Sequence, residues 1–340
     1  MNIIFLTKNM ENYDASSYQM DVIKALKKKS KLFLYGPGYK YFNYKDTIDD
    51  IEKKSGTNND FIIFGHSFLS DSHNILNDPM PNLDNQNSRK LTKIAILNKE
   101  YVNLEYKLNY YKSKKVQLCF THHHQNQKYE KITGIKFIFW PFAVDFEKFD
   151  VETNHQKYDL SFTGVLQNLN LNADQTDLRL RIMKLFYFSI GDINLIKRKK
   201  YSKYNIFWNS IPRNALSRHI KNALLSKKRL NDSEYVSLLN SSRVFLNTLS
   251  PVQLISPRYF ECLASNAVIL CEKTHLYSNI FEQKYYVEFK NDLSNFDEMF
   301  NEALLKSKDT EYLSKAKKYV QKNHTWDIRI NYLIENLARI

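Results

Sequence analysis

Short, wholly apolar segments recur along this chain at the spacing of a β/α alternation, and that pattern restricts its fold more than any other feature. Residues 2–7, Leu32–Tyr35, Asp60–Phe64, Lys93–Leu97, Val116–Phe120 and Lys136–Trp140 each read as a strand. Between them, helical periodicity runs from Ser16 or Ser17 to Lys29, over Thr47–Lys54 and over Glu100–Lys112. Strands that are apolar along their whole length belong to parallel sheets covered by helices on both faces. Residues 70–90, rich in Asn, Asp, Ser and Pro, read as a long surface loop.

The alternation breaks at Pro141 and restarts after the charged stretch Glu147–Lys157. A new first strand, Tyr158–Phe162, ends in Thr163-Gly164 and leads to a helix over Asp177–Phe188. The helix Ser233–Asn240, strand Val244–Leu246, helix from Ser256 to Ala264 and strand Val268–Cys271 follow. Helices over Leu293–Lys306, Glu311–Lys322 and Asp327–Leu337 close the chain. The expectation is an α/β protein of two Rossmann-like domains facing across a cleft. Its domains are residues 1–150 and 151–322, with a final helical segment, 323–340, packing back across both. A length of 340 residues fits two domains of ordinary size.

Composition removes several classes. Only 7 glycines occur, with no G-x-G-x-x-G and no G-x-x-x-x-G-K-[ST], which argues against dinucleotide-binding and P-loop enzymes. The 3 cysteines, Cys119, Cys262 and Cys271, are odd in number and lie in apolar segments, so neither a disulfide framework nor a cysteine zinc site is expected. The start, Met1 to Leu6, reads as a strand and not as a signal peptide, and the apolar runs are too short to span a bilayer. The cytoplasm is the expected compartment. Lys+Arg 50 against Asp+Glu 36 gives a net charge of 50 − 36 = +14, which favours anionic surfaces.

In open α/β sheets ligands bind beyond the carboxyl ends of the strands. The loops there contain Gly65-His66-Ser67, Asn98-Lys99-Glu100, Thr121–His124, Thr163-Gly164 and Ser256-Pro257-Arg258. The last opens Ser256–Leu270, the most informative segment. Pro257 suits a helix start, and that helix would aim free N–H groups and its positive dipole end at an anion. Arg258 adds a planar cation suited to phosphate, and Glu261, one turn on, can accept two hydrogen bonds from ribose hydroxyls. Three successive histidines, His122–His124, diverge from one loop and make a poor metal site; no Asp-x-Asp triplet occurs.

Val244–Asn247 followed by Arg258-Tyr259-Phe260-Glu261-Cys262-Leu263-Ala264 resembles the donor-binding segment of GT-B glycosyltransferases, particularly the spore-maturation-type, group 1 family. His324-Thr325-Trp326-Asp327-Ile328-Arg329 resembles that family's His-Thr-x-x-x-Arg helix start. Trp140–Phe149 is similar to its interdomain linker, and Tyr158–Gly164 to the strand and phosphate-facing loop of its second domain. The likeness spans roughly residues 137–337. Gln253 stands where the wider superfamily has the first Glu of its E-x7-E pair, Asn266 replaces a usual glycine, and Asp14–Ser17 replaces a glycine-rich loop.

The resemblance implies transfer of a sugar from a nucleotide-activated donor to an acceptor hydroxyl, with no metal and no cofactor. Thr163, Gly164, Arg229, Ser256, Arg258, Tyr259 and Glu261 are the implied donor-binding residues. His66, Glu100 and His122 are the candidate bases. The expected acceptor is a growing bacterial surface glycan or a lipid-linked oligosaccharide. An anionic membrane surface is a further partner, through Lys27–Lys29, Lys31 and Lys112–Lys115. The rival readings are a catalytically inactive GT-B-like binding module, a nucleotide-sugar epimerase, and a basic single-strand-binding protein. Scattered basic residues without an RRM, KH or helix-turn-helix signature argue against nucleic acid as a partner.

Overall fold

A computed structural model of the chain describes residues 1–11, 18–69, 78–85, 91–100, 102–151, 156–166, 178–190, 193–211, 230–250 and 252–340. It divides into two compact units, Met1–Phe142 with Trp326–Ile340, and Ala143–Thr325. The seam thus falls at Phe142/Ala143, and the chain rejoins the first unit at Trp326.

The first unit is built on a sheet of six parallel strands: β1 (Asn2–Leu6), β2 (Lys31–Tyr35), β3 (Phe61–Phe64), β4 (Thr92–Leu97), β5 (Leu118–Thr121) and β6 (Lys136–Phe139). Their order is β2-β1-β3-β4-β5-β6, so the winding direction switches between β1 and β3. Ile3, Ile4, Ile62, Ile63, Ile94 and Ile96 are fully buried, which is why these strands read as unbroken apolar runs. Helix α1 (Tyr18–Lys29) buries Val22, Ile23, Ala25 and Leu26, and α2 (Ile48–Ser55) starts from a capping box between Thr47 and Asp50. Helices α3 (Leu104–Ser113) and α4 (Asn126–Thr133) follow β4 and β5. The sequence reading missed α4: Gln125 at its start makes no side-chain cap, and the segment is only 8 residues long.

The second unit opens with a short helix, α5 (Phe146–Phe149), and β7 (Tyr158–Val165). Helix α6 (Leu178–Phe186) is followed by an antiparallel pair, β8 (Tyr187–Ile190) and β9 (Ile193–Lys197), then β10 (Ile206–Ile211). The helix expected to run to Phe188 therefore stops at Phe186, and Phe188 lies in a strand. Next come α7 (Asp232–Asn240), β11 (Ser242–Asn247), α8 (Pro257–Ala264), β12 (Val268–Glu272) and β13 (Tyr286–Phe289). Five parallel strands form its main sheet in the order β10-β7-β11-β12-β13. Helices α9 (Phe296–Lys306) and α10 (Thr310–Asn323) complete the unit, while α11 (Trp326–Leu337) packs on α1 in the first. Thr163-Gly164 does not end β7: the strand continues to Val165, pairing Thr163 with Asn209 and Gly164 with Ser210.

Among the described residues no helix is long and apolar enough to cross a membrane.

Candidate active site

In the first unit the three candidate bases follow β3, β4 and β5 at their carboxyl ends, where parallel sheets place ligands. Gly65 sets up the first of them. A Cβ there would lie 2.5 Å from the Phe5 ring and 2.9 Å from the Leu6 carbonyl oxygen, so only glycine lets the end of β3 lie this close to β1. His66 then meets His122 edge to edge, Nε2 to Nε2 at 2.9 Å. The Nδ1 of His122 sits 2.8 Å from the Trp140 carbonyl oxygen.

Those two contacts determine both tautomers. A carbonyl only accepts, so His122 Nδ1 carries a hydrogen and donates it to Trp140. The neutral ring then has a bare Nε2, which accepts from His66 Nε2–H. His66 is left with Nδ1 as its basic nitrogen. Burial pushes the His122 imidazole down to about 3; the Trp140 carbonyl opposes that shift and the Arg329 charge adds to it. Burial, reinforced by His122, also holds His66 well below its ordinary range. Aromatic rings sandwich the pair: Phe142 stacks on His122 at 3.8 Å, and Tyr18 stands edge-on to His66 at 5.6 Å. The sequence Trp140-Pro141-Phe142 is pinned in turn by α11. Trp140 Nε1 donates to the Arg329 carbonyl oxygen, and Arg329 Nε donates to that of Pro141, each at 3.0 Å.

Glu100 is the third candidate. Its Oε1 accepts from the Thr121 hydroxyl at 2.8 Å, and its Oε2 is buried with no hydrogen-bond partner among the described residues. Burial raises its carboxyl above the ordinary range, opposed by the Thr121 hydroxyl, its own N–H, the Lys107 charge and the His122 N–H. Lys107, on the buried face of α3, clamps this loop by donating to the Asn98 carbonyl oxygen at 2.7 Å. The other two members of the triplet serve the loop itself. His123 Nδ1 accepts from the Gln125 N–H, and His124 stacks on His123 at 4.4 Å. Among the described residues no group of three or more His, Cys, Asp or Glu is arranged to hold a metal ion.

The second unit places a different chemistry at its own strand ends. The chain leaves β7 toward β10 on one side and later enters β11 on the other, so the switch point lies between β7 and β11. These strands pair only as far as Ser161↔Phe245 and then part. Arg179 of α6 bridges the opening. Its Nη1 donates to the Val165 carbonyl oxygen at 2.8 Å, and its Nε donates to Thr248 Oγ1 at 2.6 Å. A Cβ on Gly164 would sit 3.4 Å from Arg258 Nη1 and 3.8 Å from Arg179 Nη1. Two guanidinium groups therefore border the one residue of β7 that presents bare backbone. Arg258 comes from the first turn of α8, and its Nε is buried without a hydrogen-bond partner among the described residues. An orphaned cationic donor at a switch point is a costly feature unless an anion arrives.

Glu261 lies one turn beyond Arg258 and accepts from the Tyr235 hydroxyl at 2.6 Å. Burial raises its carboxyl, opposed by the Tyr235 hydroxyl and the Arg258 and Lys148 charges. Ser256 occupies the N-cap of α8, yet its side chain makes no cap hydrogen bond. Thr163 is half-buried on β7 beside Gly164. Tyr259 is placed differently from the expectation: it is 1% exposed, and its hydroxyl pairs with that of Tyr277, which donates to Glu272. It supports α8 from the core and does not face a ligand. Arg229 lies outside the described residues. His324 is structural, its carbonyl oxygen accepting from the Val144 N–H at 3.0 Å while its ring packs near Phe260 and Phe281.

Arg179, Thr248, Tyr235 and Glu272 escaped the sequence reading. For Arg179 a signal existed: with Ile182, Met183 and Phe186 it forms the buried face of α6, a cation set into an apolar stripe.

Two doubly wound parallel sheets, one with cations gathered at its switch point, are the GT-B architecture found in the glycosyltransferases of similar fold. Residues 198–335 match the family described as glycosyl transferase-like. Among solved structures, the chain is similar to a glycosyltransferase from Rickettsia africae, at 12% identity and a TM-score of 0.60, covering 99% of this chain and 98% of that one. HepE of Anabaena in complex with UDP-glucose matches at 9% identity and a TM-score of 0.57 over 100% of both chains. An α-glucosyltransferase in complex with UDP and a mismatched DNA matches at 11% identity and a TM-score of 0.61 over 99% of both. At such identities the likeness speaks for the fold. No curated protein matches by sequence.

Proposed function

We propose that the protein moves a sugar from a nucleoside diphosphate donor to an acceptor hydroxyl, and that the donor diphosphate binds at Gly164, Arg258 and the start of α8. Arg258, whose Nη1 borders Gly164 and whose Nε has no hydrogen-bond partner among the described residues, carries this reading. Breaking the bond between the anomeric carbon and the diphosphate oxygen builds positive charge on the sugar and negative charge on the leaving group. A guanidinium and free helix N–H groups stabilise the second of these in place. Glu261, with one oxygen on Tyr235, has acceptor capacity left for the ribose hydroxyls. Arg179 ties the end of β7 to Thr248, just past β11.

The acceptor oxygen attacks the anomeric carbon as the bond to the diphosphate breaks, and its proton goes to a general base. His66 and Glu100 remain the bases to test. His122 acts as a positioning residue, because both of its ring nitrogens are engaged. The acceptor is a growing bacterial surface glycan or a lipid-linked oligosaccharide. Charge neutralisation comes from the chain's own arginines, so transfer proceeds without a metal ion or a cofactor.

HepE, which shares the fold, is solved with UDP-glucose, and that makes UDP-glucose the first donor to try. In a thermal-shift panel of nucleotide sugars, the true donor at about 100 times its Kd adds about 2.7 kcal/mol of stability. Release of nucleoside diphosphate should continue in EDTA. A panel in which no nucleotide sugar raises the melting temperature would overturn the donor assignment. Activity lost in EDTA and restored only by Mn²⁺ or Mg²⁺ would overturn the metal-free step.

A further inference from the structure

The β8–β9 ribbon is the one antiparallel sheet among the described residues, and it is not part of either parallel sheet. Phe188 and Ile196 are cross-strand partners on it, 54% and 68% exposed. A directly opposed apolar pair left in water on a two-stranded ribbon has no counterpart in the buried faces of the main sheets. Basic residues flank it in the sequence. From Lys184 to Lys203 the sequence holds six cations, Lys184, Lys197, Arg198, Lys199, Lys200 and Lys203, against the single carboxylate Asp192. Lys184, Lys199, Lys200 and Lys203 are exposed. The Arg198 guanidinium lies over the Phe188 ring at 4.2 Å and donates through Nε to the Lys184 carbonyl oxygen at 2.9 Å, which ties the ribbon to α6. Lys200 pairs with Asp297, so one of these charges is partly neutralised.

Of the first-unit lysines expected to serve an anionic surface, Lys27, Lys29, Lys31, Lys112 and Lys115 are exposed and two are engaged. Lys114 is buried in an ion pair with Asp78 at 3.0 Å, and Lys28 pairs with Asp327 at 3.1 Å.

We propose that the β8–β9 ribbon docks the protein on an anionic lipid surface, Phe188 and Ile196 entering the interface while Lys184, Lys199 and Lys203 meet the headgroups. Apolar side chains flanked by lysine and arginine are the composition of an interfacial anchor. A single-stranded nucleic acid fits less well, because Arg198 already occupies one face of the Phe188 ring on which a base would stack. A second copy fits less well too, because it brings another +14 of like charge. This inference rests on the lipid-linked part of the proposed function but not on the donor site.

Co-sedimentation with phosphatidylcholine vesicles containing phosphatidylglycerol tests it, with pure phosphatidylcholine as the control. The full chain should bind only the anionic vesicles, and 0.5 M salt should release it. F188A/I196A should weaken binding on the order of tenfold, and K199E/K203E by a similar factor or more. Both variants should keep the wild-type melting temperature and wild-type UDP-glucose binding, since the altered side chains face solvent. No vesicle binding by the wild type at low salt overturns the proposal, as does undiminished binding by both variants. A dimer that F188A/I196A dissociates without lipid would assign the ribbon to a second copy. Loss of oligonucleotide binding with vesicle binding intact would assign it to nucleic acid. Donor binding is read separately, so failure here leaves the donor assignment untouched.

Discussion

The two strand-end sites use one scaffold for opposite electrostatic purposes. In the first unit the carboxyl ends of β3, β4 and β5 carry two imidazoles that burial holds in their neutral forms and a carboxyl group whose pKa burial raises. In the second, the ends of β7 and β11 and the start of α8 bring two permanently charged guanidinium groups beside bare backbone. Histidine and glutamate respond to burial by giving up charge, whereas arginine keeps it and must find an anion or a carbonyl. Arg179 has found carbonyl oxygens, and the Arg258 Nε has not. A parallel sheet thus supplies position alone, and the residue types loaded onto it decide whether a strand end carries neutral or charged groups.

The sharpest break in that comparison comes from separating turnover from donor affinity. Replacing His66 with Asn should lower turnover by about 100- to 10,000-fold, the range for a lost general base, with donor Kd unchanged. His122→Phe keeps the stacked ring but frees the His66 Nε2–H. It should cost less turnover and move the pH profile, because a positioning residue acts through the basicity of its neighbour. Steady-state kinetics over pH 5–9 separates the two. Equal loss in both variants with an unmoved profile would contradict the tautomer assignment.

A smaller effect sharpens the neutral half of the comparison. His122 binds its proton far more weakly folded than unfolded, so the unfolded chain takes up protons as the pH falls. Stability is therefore full above about 6.5 and declines toward about 3, at roughly 1.4 kcal/mol per pH unit. Urea midpoints measured at pH 7 and pH 5 should fall by less for His122→Phe than for the wild type. Identical pH slopes would mean that the ring is not buried in its neutral form.

Much of this architecture is legible wherever the signal is local. Ile3–Leu6, Phe61–Phe64 and Val268–Cys271 announce themselves as buried strands because both of their faces are apolar. Arg258, Glu261 and Gly164 are readable because each lies within a short contiguous motif. Strand β10 was missed because Asn209 and Ser210, both buried, interrupt its apolar run at Trp208. Phe188 continues the spacing of α6, so nothing in the local pattern distinguishes another helical turn from the ribbon that forms. Arg179 and Thr248 are 69 residues apart, and only the parting of β7 from β11 brings them together. The His66–His122 pair spans 56 residues for the same reason. Local chemistry is written in the sequence; contacts made by closing the sheet are not.

The central claim is that Arg258 awaits the donor's diphosphate. Calorimetric titration of UDP-glucose, or of whichever nucleotide sugar the panel selects, into the wild type and Arg258→Ala in EDTA tests it directly. Losing a charge-assisted hydrogen bond should weaken Kd by about 10- to 100-fold, and Glu261→Ala should fall in the same range through the ribose. A donor affinity left unchanged by Arg258→Ala, in a protein of wild-type melting temperature, would contradict the account.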